Sequence, residues 1–191
     1  MEQIASAGGS ASPPTAVTPD PSFLRQVEKA GGATISPCFQ CVKCSSGCPL
    51  TFVMDLLPNQ VIRCVQVGLK EEVLRSDTIW LCASCETCTT RCPNGVDIAH
   101  LMDTLRQIAL RENVTPSQPG IVATHAAFLA EIRARGRVHE MFLVARHKLR
   151  TRNWTRDVAL GWEMFRRGKL KLLPKGVKGR KWLKERVPRV N

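Results

Sequence analysis

The chain has no run of 18 consecutive apolar residues; the best stretch, Ile121 to Ala130, is short and contains His125. A membrane-crossing helix needs about 20 such residues, so the sequence predicts no transmembrane segment. The first residues, up to about position 20, are small, polar and proline-rich, with neither a positive n-region nor an apolar h-region. They read as a disordered tail over 1–20, not a targeting peptide, and the expected location is cytoplasmic. There is no Gly-x-Gly-x-x-Gly fingerprint for a flavin or nicotinamide cofactor. Nor is there a motif that would read a nucleic-acid groove.

Cysteine and positive charge are what the chain does have. Eight of its nine cysteines fall into two copies of one spacing, Cys38, Cys41, Cys44, Cys48, Pro49 and Cys82, Cys85, Cys88, Cys92, Pro93. This Cys-x2-Cys-x2-Cys-x3-Cys-Pro run is the bacterial ferredoxin signature, and its doubling predicts two [4Fe-4S] clusters. Three cysteines three residues apart on a curled loop can aim three sulfurs at three corners of one cube, and the fourth corner needs a ligand from elsewhere. The proline stops the tight loop from continuing, because it fixes φ and has no N–H to donate. Exchange of the fourth cysteines assigns Cys38, Cys41, Cys44 and Cys92 to one cluster and Cys82, Cys85, Cys88 and Cys48 to the other. Such an exchange ties both loops into one unit.

Two other uses of cysteine compete with this reading. Eight thiolates could hold two structural zinc ions, but zinc needs only paired Cys-x-x-Cys elements and leaves the third and fourth cysteines of each run without a role. A disulfide framework fits poorly with an odd cysteine count in a chain of 191 residues that can build a core unaided. Cys64, the ninth cysteine, lies in a helical stretch and reads as a small buried hydrophobe, with a ligand role as the lesser alternative.

The net charge of +12 is unevenly placed. Residues 131–191 hold 19 Lys and Arg against 5 Asp and Glu, leaving 9 against 11 for residues 1–130, so the two parts carry +14 and −2. Each oxidised cluster with its four thiolates adds a further negative charge of about two to the acidic part. The basic part invites three readings: contact with an acidic partner subunit, a solvated surface, or nucleic acid and anionic lipid. Trp154, Trp162, Phe165 and Trp182 suit either an intersubunit interface or packing within the chain.

Helical periodicity runs throughout. Asp20 to Gly32 has a cap, a proline at the first helical position and a glycine stop. Pro58 to Arg75 places Val61, Cys64, Val65 and Leu69 at helical spacing with Gly68 as a break, and Ser76 and Asp77 are positioned to cap the next helix. Asp97 caps a helix bearing Ile98, Leu101, Met102, Leu105, Ile108 and Ala109 on one face. The 33 residues between Cys48 and Cys82 are helical in pattern, not the alternating pattern of hairpins. The loop 115–120 closes this part. Ile121 to Arg152 comes next as one helix or a pair broken at Gly136, then Trp154 to Arg167 as another. The expected fold is all-α: a two-cluster helical ferredoxin domain over 21–115 and a basic helical extension over 116–191.

Several segments carry a narrower resemblance. They are Cys-Ser-Ser-Gly-Cys-Pro at 44–49, Leu-Pro-Asn-Gln-Val-Ile-Arg at 57–63, Trp80 through Pro93 with Val96-Asp97-Ile98, and the basic segments at 146–150, 167–174 and 178–181. With these the chain resembles the C subunit of heterodisulfide reductase and its bacterial relatives. The resemblance implies a helical ferredoxin that relays electrons between a flavin- and cluster-containing A subunit and a catalytic B subunit with cysteine-rich CCG motifs. This chain has no adjacent cysteine pair, so the resemblance implies an electron carrier without catalysis of its own. Iron–sulfur subunits of succinate dehydrogenase or glycerol-3-phosphate dehydrogenase type are the nearest alternatives. The first would need a plant-type [2Fe-2S] domain before Cys38, and the second CCG repeats after the runs. A nucleic-acid-binding iron–sulfur or zinc regulator is a more distant one.

Overall fold

The computed structural model describes residues 18–152, 158–169, 176–177, 182 and 185–186. The expected tail over 1–20 lies almost wholly outside them, as does Trp154. Among the described residues there are helices and turns and no strand.

Helix α1 (Ser22–Gly31) begins one residue later than the cap motif suggested. Pro21 occupies the cap position, while the Asp20 carboxylate accepts from Ser22 N at 2.8 Å and Ser22 Oγ at 2.5 Å. Gly32 ends the helix at φ 68°, a conformation that glycine adopts without a Cβ penalty. Glu28 then reaches forward, its Oε1 accepting from Ile35 N, Ser36 N and Ser36 Oγ, and so holds the segment that leads to Cys38.

Helix α2 (Lys43–Ser46) is a single turn within the first cysteine run, and a 3-10 turn comes after it at Thr51–Val53. Helices α3 (Pro58–Val67) and α4 (Lys70–Arg75) divide at Gly68, as the glycine break predicted. Helix α5 (Thr78–Leu81) is next. Neither Ser76 nor Asp77 caps it. Asp55, more than 20 residues upstream, does so: Oδ2 accepts from Asp77 N at 2.8 Å, and Oδ1 from Thr78 N at 3.0 Å and Thr78 Oγ1 at 2.7 Å. Asp77 instead accepts from Gln118 Nε2 at 2.9 Å, tying this corner to the start of α8. Helix α6 (Thr87–Thr90) is the single turn of the second run, and α7 (Ile98–Arg111) starts under the Asp97 carboxylate, which accepts from His100 N at 3.0 Å.

The core forms where α7 meets α1, α4 and α5, with α3 closing the other side against α1 and α4. All six apolar positions expected on α7 are buried, together with Val61, Val65, Val73 and Ile79 from the facing helices. Burial of such side chains stabilises by about 1.5–3 kcal/mol each. The two one-turn helices hang on this core, α2 on α3 and α6 on α7, and they touch each other. Helices α8 (Pro119–Arg135) and α9 (Glu140–Thr151) form a hairpin broken at Gly136, φ 73°, so the interrupted alternative for this stretch is the observed one. Helix α8 takes in the last two residues of the expected 115–120 loop and rests on α5. Helix α10 (Val158–Arg166) comes last.

Gly68 has a second role. At φ 88° its Cβ would fall 2.4 Å from the backbone oxygen of Asp20. Gly68→Ala should therefore lower stability by about 2 kcal/mol or more, the left-handed backbone cost plus that collision. Gly32→Ala, left-handed but open to solvent, should show only the conformational part. Equal losses for the two variants in urea unfolding would show that the chain contact is unimportant.

Candidate functional site

Both cysteine runs take the same backbone path. Gln40 and Val42 in the first run have φ 60° and 64°, and Ser84 and Glu86 in the second have φ 50° and 60°. These are the second and fourth residues after the first cysteine in each copy. For a β-branched residue such as Val42 this conformation is a genuine outlier, so the surrounding structure imposes it twice at matching positions. Left-handed residues set among right-handed ones turn successive N–H groups into a concavity that favours anions, a device found at iron–sulfur sites. Each loop then enters its one-turn helix, with Cys44 in α2 and Cys88 in α6. Each closes with a matching backbone bond, Cys48 N to Ser45 O at 3.2 Å and Cys92 N to Thr89 O at 3.1 Å.

The helices α2 and α6 bring the runs together. Gly47 and Arg91 occupy equivalent places, and a Cβ on Gly47 would lie 2.7 Å from Arg91 Nη1, so the glycine makes room for the guanidinium. A cleft of about 400 Å³, its open mouth included, is lined by Cys48, Cys82, Cys85 and Cys88, with Pro49, Pro58, Ile98 and Met102 among its apolar walls. Burial, with a smaller contribution from the nearby Cys48, pushes the Cys82 thiol above its ordinary range. On the other side, burial and, to a lesser degree, the neighbouring Cys38 push up Cys44. Cys92 Sγ accepts from Val96 N at 3.3 Å, and Asn94 Nδ2 donates to Pro37 O at 2.5 Å, which seats the segment after Cys92 against the one before Cys38. Cys41 and Cys85, again equivalent, are the exposed members of their runs.

An all-sulfur donor set suits iron–sulfur clusters or zinc. Zinc would draw four sulfurs to about 2.3 Å from one point, whereas Cys48, Cys82, Cys85 and Cys88 border a cleft, a lining that a four-iron cube with a ligand at each corner fits. Burial pushes the Cys44, Cys82 and Cys88 thiols up, a tendency that coordination reverses because an iron-bound thiol is deprotonated outright. The hydroxyl of Thr87, hydrogen-bonded to Cys85, holds that exposed thiol below its usual range.

Polar side chains outside the runs hold the loops in place. Gln66 Nε2 on α3 donates to Cys38 O at 3.2 Å. Ser45 Oγ donates to Asn59 Oδ1 at 2.6 Å and accepts from Asn59 N, while Asn59 Nδ2 donates to Gln40 Oε1 at 3.2 Å. At the second run Arg106, on α7, donates from Nε to Ile79 O, from Nη2 to Cys82 O, and from Nη1 to Asp103 Oδ1 at 2.8 Å and Ser84 Oγ at 3.4 Å. Sequence reading passes over Gln66 and Arg106. Arg106 had a signal: it stands four residues after Met102 and three before Ala109, an arginine inside the apolar stripe of α7. Cys64 packs half-buried on α3 against the core, its thiol pushed up by burial, as its reading as a small hydrophobe predicted. It does not line the cleft.

Residues 34–96 match the family model described as a 4Fe-4S dicluster domain. The C subunit of the H(2):CoB-CoM heterodisulfide,ferredoxin reductase of Methanothermobacter marburgensis is 35% identical over 92 residues, 48% of this chain and 50% of that protein. The iron-sulfur C subunit of the CoB--CoM heterodisulfide reductase of Methanopyrus kandleri is 30% identical over 112 residues, 54% of this chain and 58% of that one. The corresponding C 2 subunit of Methanocaldococcus jannaschii is 40% identical over 99 residues, 48% and 53% of the two chains. The chain thus spans about half the length of the curated relatives it matches. Residues 34–96 are thus similar to 4Fe-4S dicluster domains, which gives this segment two [4Fe-4S] clusters as its cofactors, and over about half its length the chain is similar to the C subunits of heterodisulfide reductases.

Proposed function

We propose that this chain is the electron-transfer subunit of a heterodisulfide-reductase-type complex, relaying single electrons between a flavin/iron–sulfur A subunit and a CCG-motif B subunit in the cytoplasm, with no catalysis of its own. The observation that carries it is the cleft where Cys48 of the first run stands with Cys82, Cys85 and Cys88 of the second. That grouping supports the exchanged ligand sets, Cys38, Cys41, Cys44 and Cys92 for one cluster and Cys82, Cys85, Cys88 and Cys48 for the other. Bound there, the clusters supply one-electron chemistry, with potentials set by net charge, hydrogen bonds and exposure. The protein's own work is spacing and shielding: Ile98 and Met102 keep water from the second-run site, while Cys41 and Cys85 bring each site to the surface.

The division into a cluster domain over 21–115 and an extension over 116–191 assigns partner contact to the second part. None of the described side chains of α9 and α10 is buried. Trp162 is 69% exposed and stacks on Phe165 at 6.0 Å, and Trp182 is 56% exposed. Packing within the described chain thus leaves these tryptophans uncovered. Aromatic groups set among basic side chains suit an acidic partner surface. Purification of the tagged chain from native cells should bring down a flavoprotein and a CCG-motif protein, with association weakening as salt rises. Recovery of nucleic acid with neither protein would end this reading. Among the described residues no helix is long and apolar enough to cross a membrane.

A further inference from the structure

The two cysteine loops match in backbone but differ in the charge that holds them. The carbonyl of the first cysteine in each run is bound by a side chain from the next long helix, Gln66 at Cys38 and Arg106 at Cys82. One donor is a neutral amide and the other a guanidinium. The rest of the first-run scaffold, Gln40, Ser45 and Asn59, is neutral as well. We propose that Arg106 makes the two cluster sites electrostatically unequal, raising the potential of the site bearing Cys82 so that an electron entering the chain settles there in preference to the site bearing Cys38.

Reduction adds negative charge to a site, and a nearby fixed cation stabilises the reduced form. Arg106 is suited to this because its side chain is only 12% exposed, and its guanidinium bonds to the backbone at Ile79 and at Cys82 itself. Its carboxylate partner, Asp103, is 46% exposed, so solvent and salt screen the acid more than the arginine. One neighbouring group registers the imbalance. At His125 on α8, burial and then Arg106 disfavour the imidazolium, and Asp103 offsets them only in part. The other cations and anions of the two runs, Lys43, Glu86 and Arg91, are exposed and screened.

This inference rests on the two-cluster reading, and the experiment separates their failures. The full chain, purified anaerobically with its clusters, is titrated with dithionite and monitored by EPR. Arg106→Gln copies the amide used at Cys38 and keeps donors for the carbonyls. It should make the second-run site about tenfold harder to reduce, ~59 mV for one electron, and leave the first-run site in place. Asp103→Asn removes the counter-charge and should shift the same signal the opposite way. A purely structural role for Arg106 would not produce opposite shifts in one signal. If Arg106→Gln loses the cluster, Asp103→Asn still decides, since an unmoved or lowered potential there overturns the proposal. Two intact clusters whose potentials stay fixed in both variants, or move together, overturn it also. A wild-type chain without iron–sulfur absorption fails the two-cluster reading itself.

Discussion

Cys48→Ser should remove the cluster associated with the second run and Cys92→Ser the one associated with the first, each variant losing about half of the iron. The expectation comes from position. Cys48 lines the cleft with Cys82, Cys85 and Cys88, although it belongs by sequence to the other loop. Cys92 lies on the segment that Asn94 pins to Pro37, one residue before Cys38. EPR with iron and sulfide assays on anaerobic protein checks it, with Cys85→Ser as the reference for the second-run signal. Were Cys48→Ser to share its lost signal with Cys41→Ser instead, each run would keep its own cluster and the exchange would be wrong. An exchanged ligand set would also join the loops mechanically, so either variant should then loosen α2 against α6.

Arg135→Met should release the hairpin of α8 and α9. Glu131 is fully buried, with Arg135 Nη1 on Oε2 and Arg146 Nε 3.5 Å from Oε1, an ion-pair distance without a hydrogen bond. The Arg135 guanidinium also lies over the Phe142 ring, 4.1 Å from its centroid, and thus joins both helices. Replacing it by an apolar side chain of similar length leaves a buried carboxylate with one loose, half-exposed partner. Breaking such a pair costs about 3–5 kcal/mol. Hydrogen exchange should show lost protection in α8 and α9, while the clusters, held by the core of α1 to α7, keep their absorption. Unchanged protection would mean that the buried acid does not need Arg135. Because the hairpin carries part of the basic surface, the variant should also weaken co-purification of partner subunits.

Much of the fold was legible along the chain because its signals are local. Asp97 caps α7 through its own third neighbour, and Gly68 and Gly136 break helices through their own φ. The apolar stripe of α7 is a periodicity that needs no partner to be read. Signals failed where the partner is remote. The cap of α5 comes from Asp55 on a different loop, which left Asp77 free to bind Gln118. The buried acid Glu131 looks in sequence like any surface residue of a basic helix, because its burial depends on where α9 folds back.

The candidate site divides in the same way. The doubled cysteine spacing by itself determined the chemistry, since three sulfurs on one curled loop and a proline after the fourth suit a cube and little else. The charge imbalance along the chain was likewise plain in composition. Only the tertiary structure placed Cys48 beside Cys82 and gave Cys38 a neutral support and Cys82 a cationic one. The reason is physical: ligand type and spacing are covalent properties of a short segment, whereas which loop faces which, and whose charge lies behind it, depend on how α3 and α7 pack around one core.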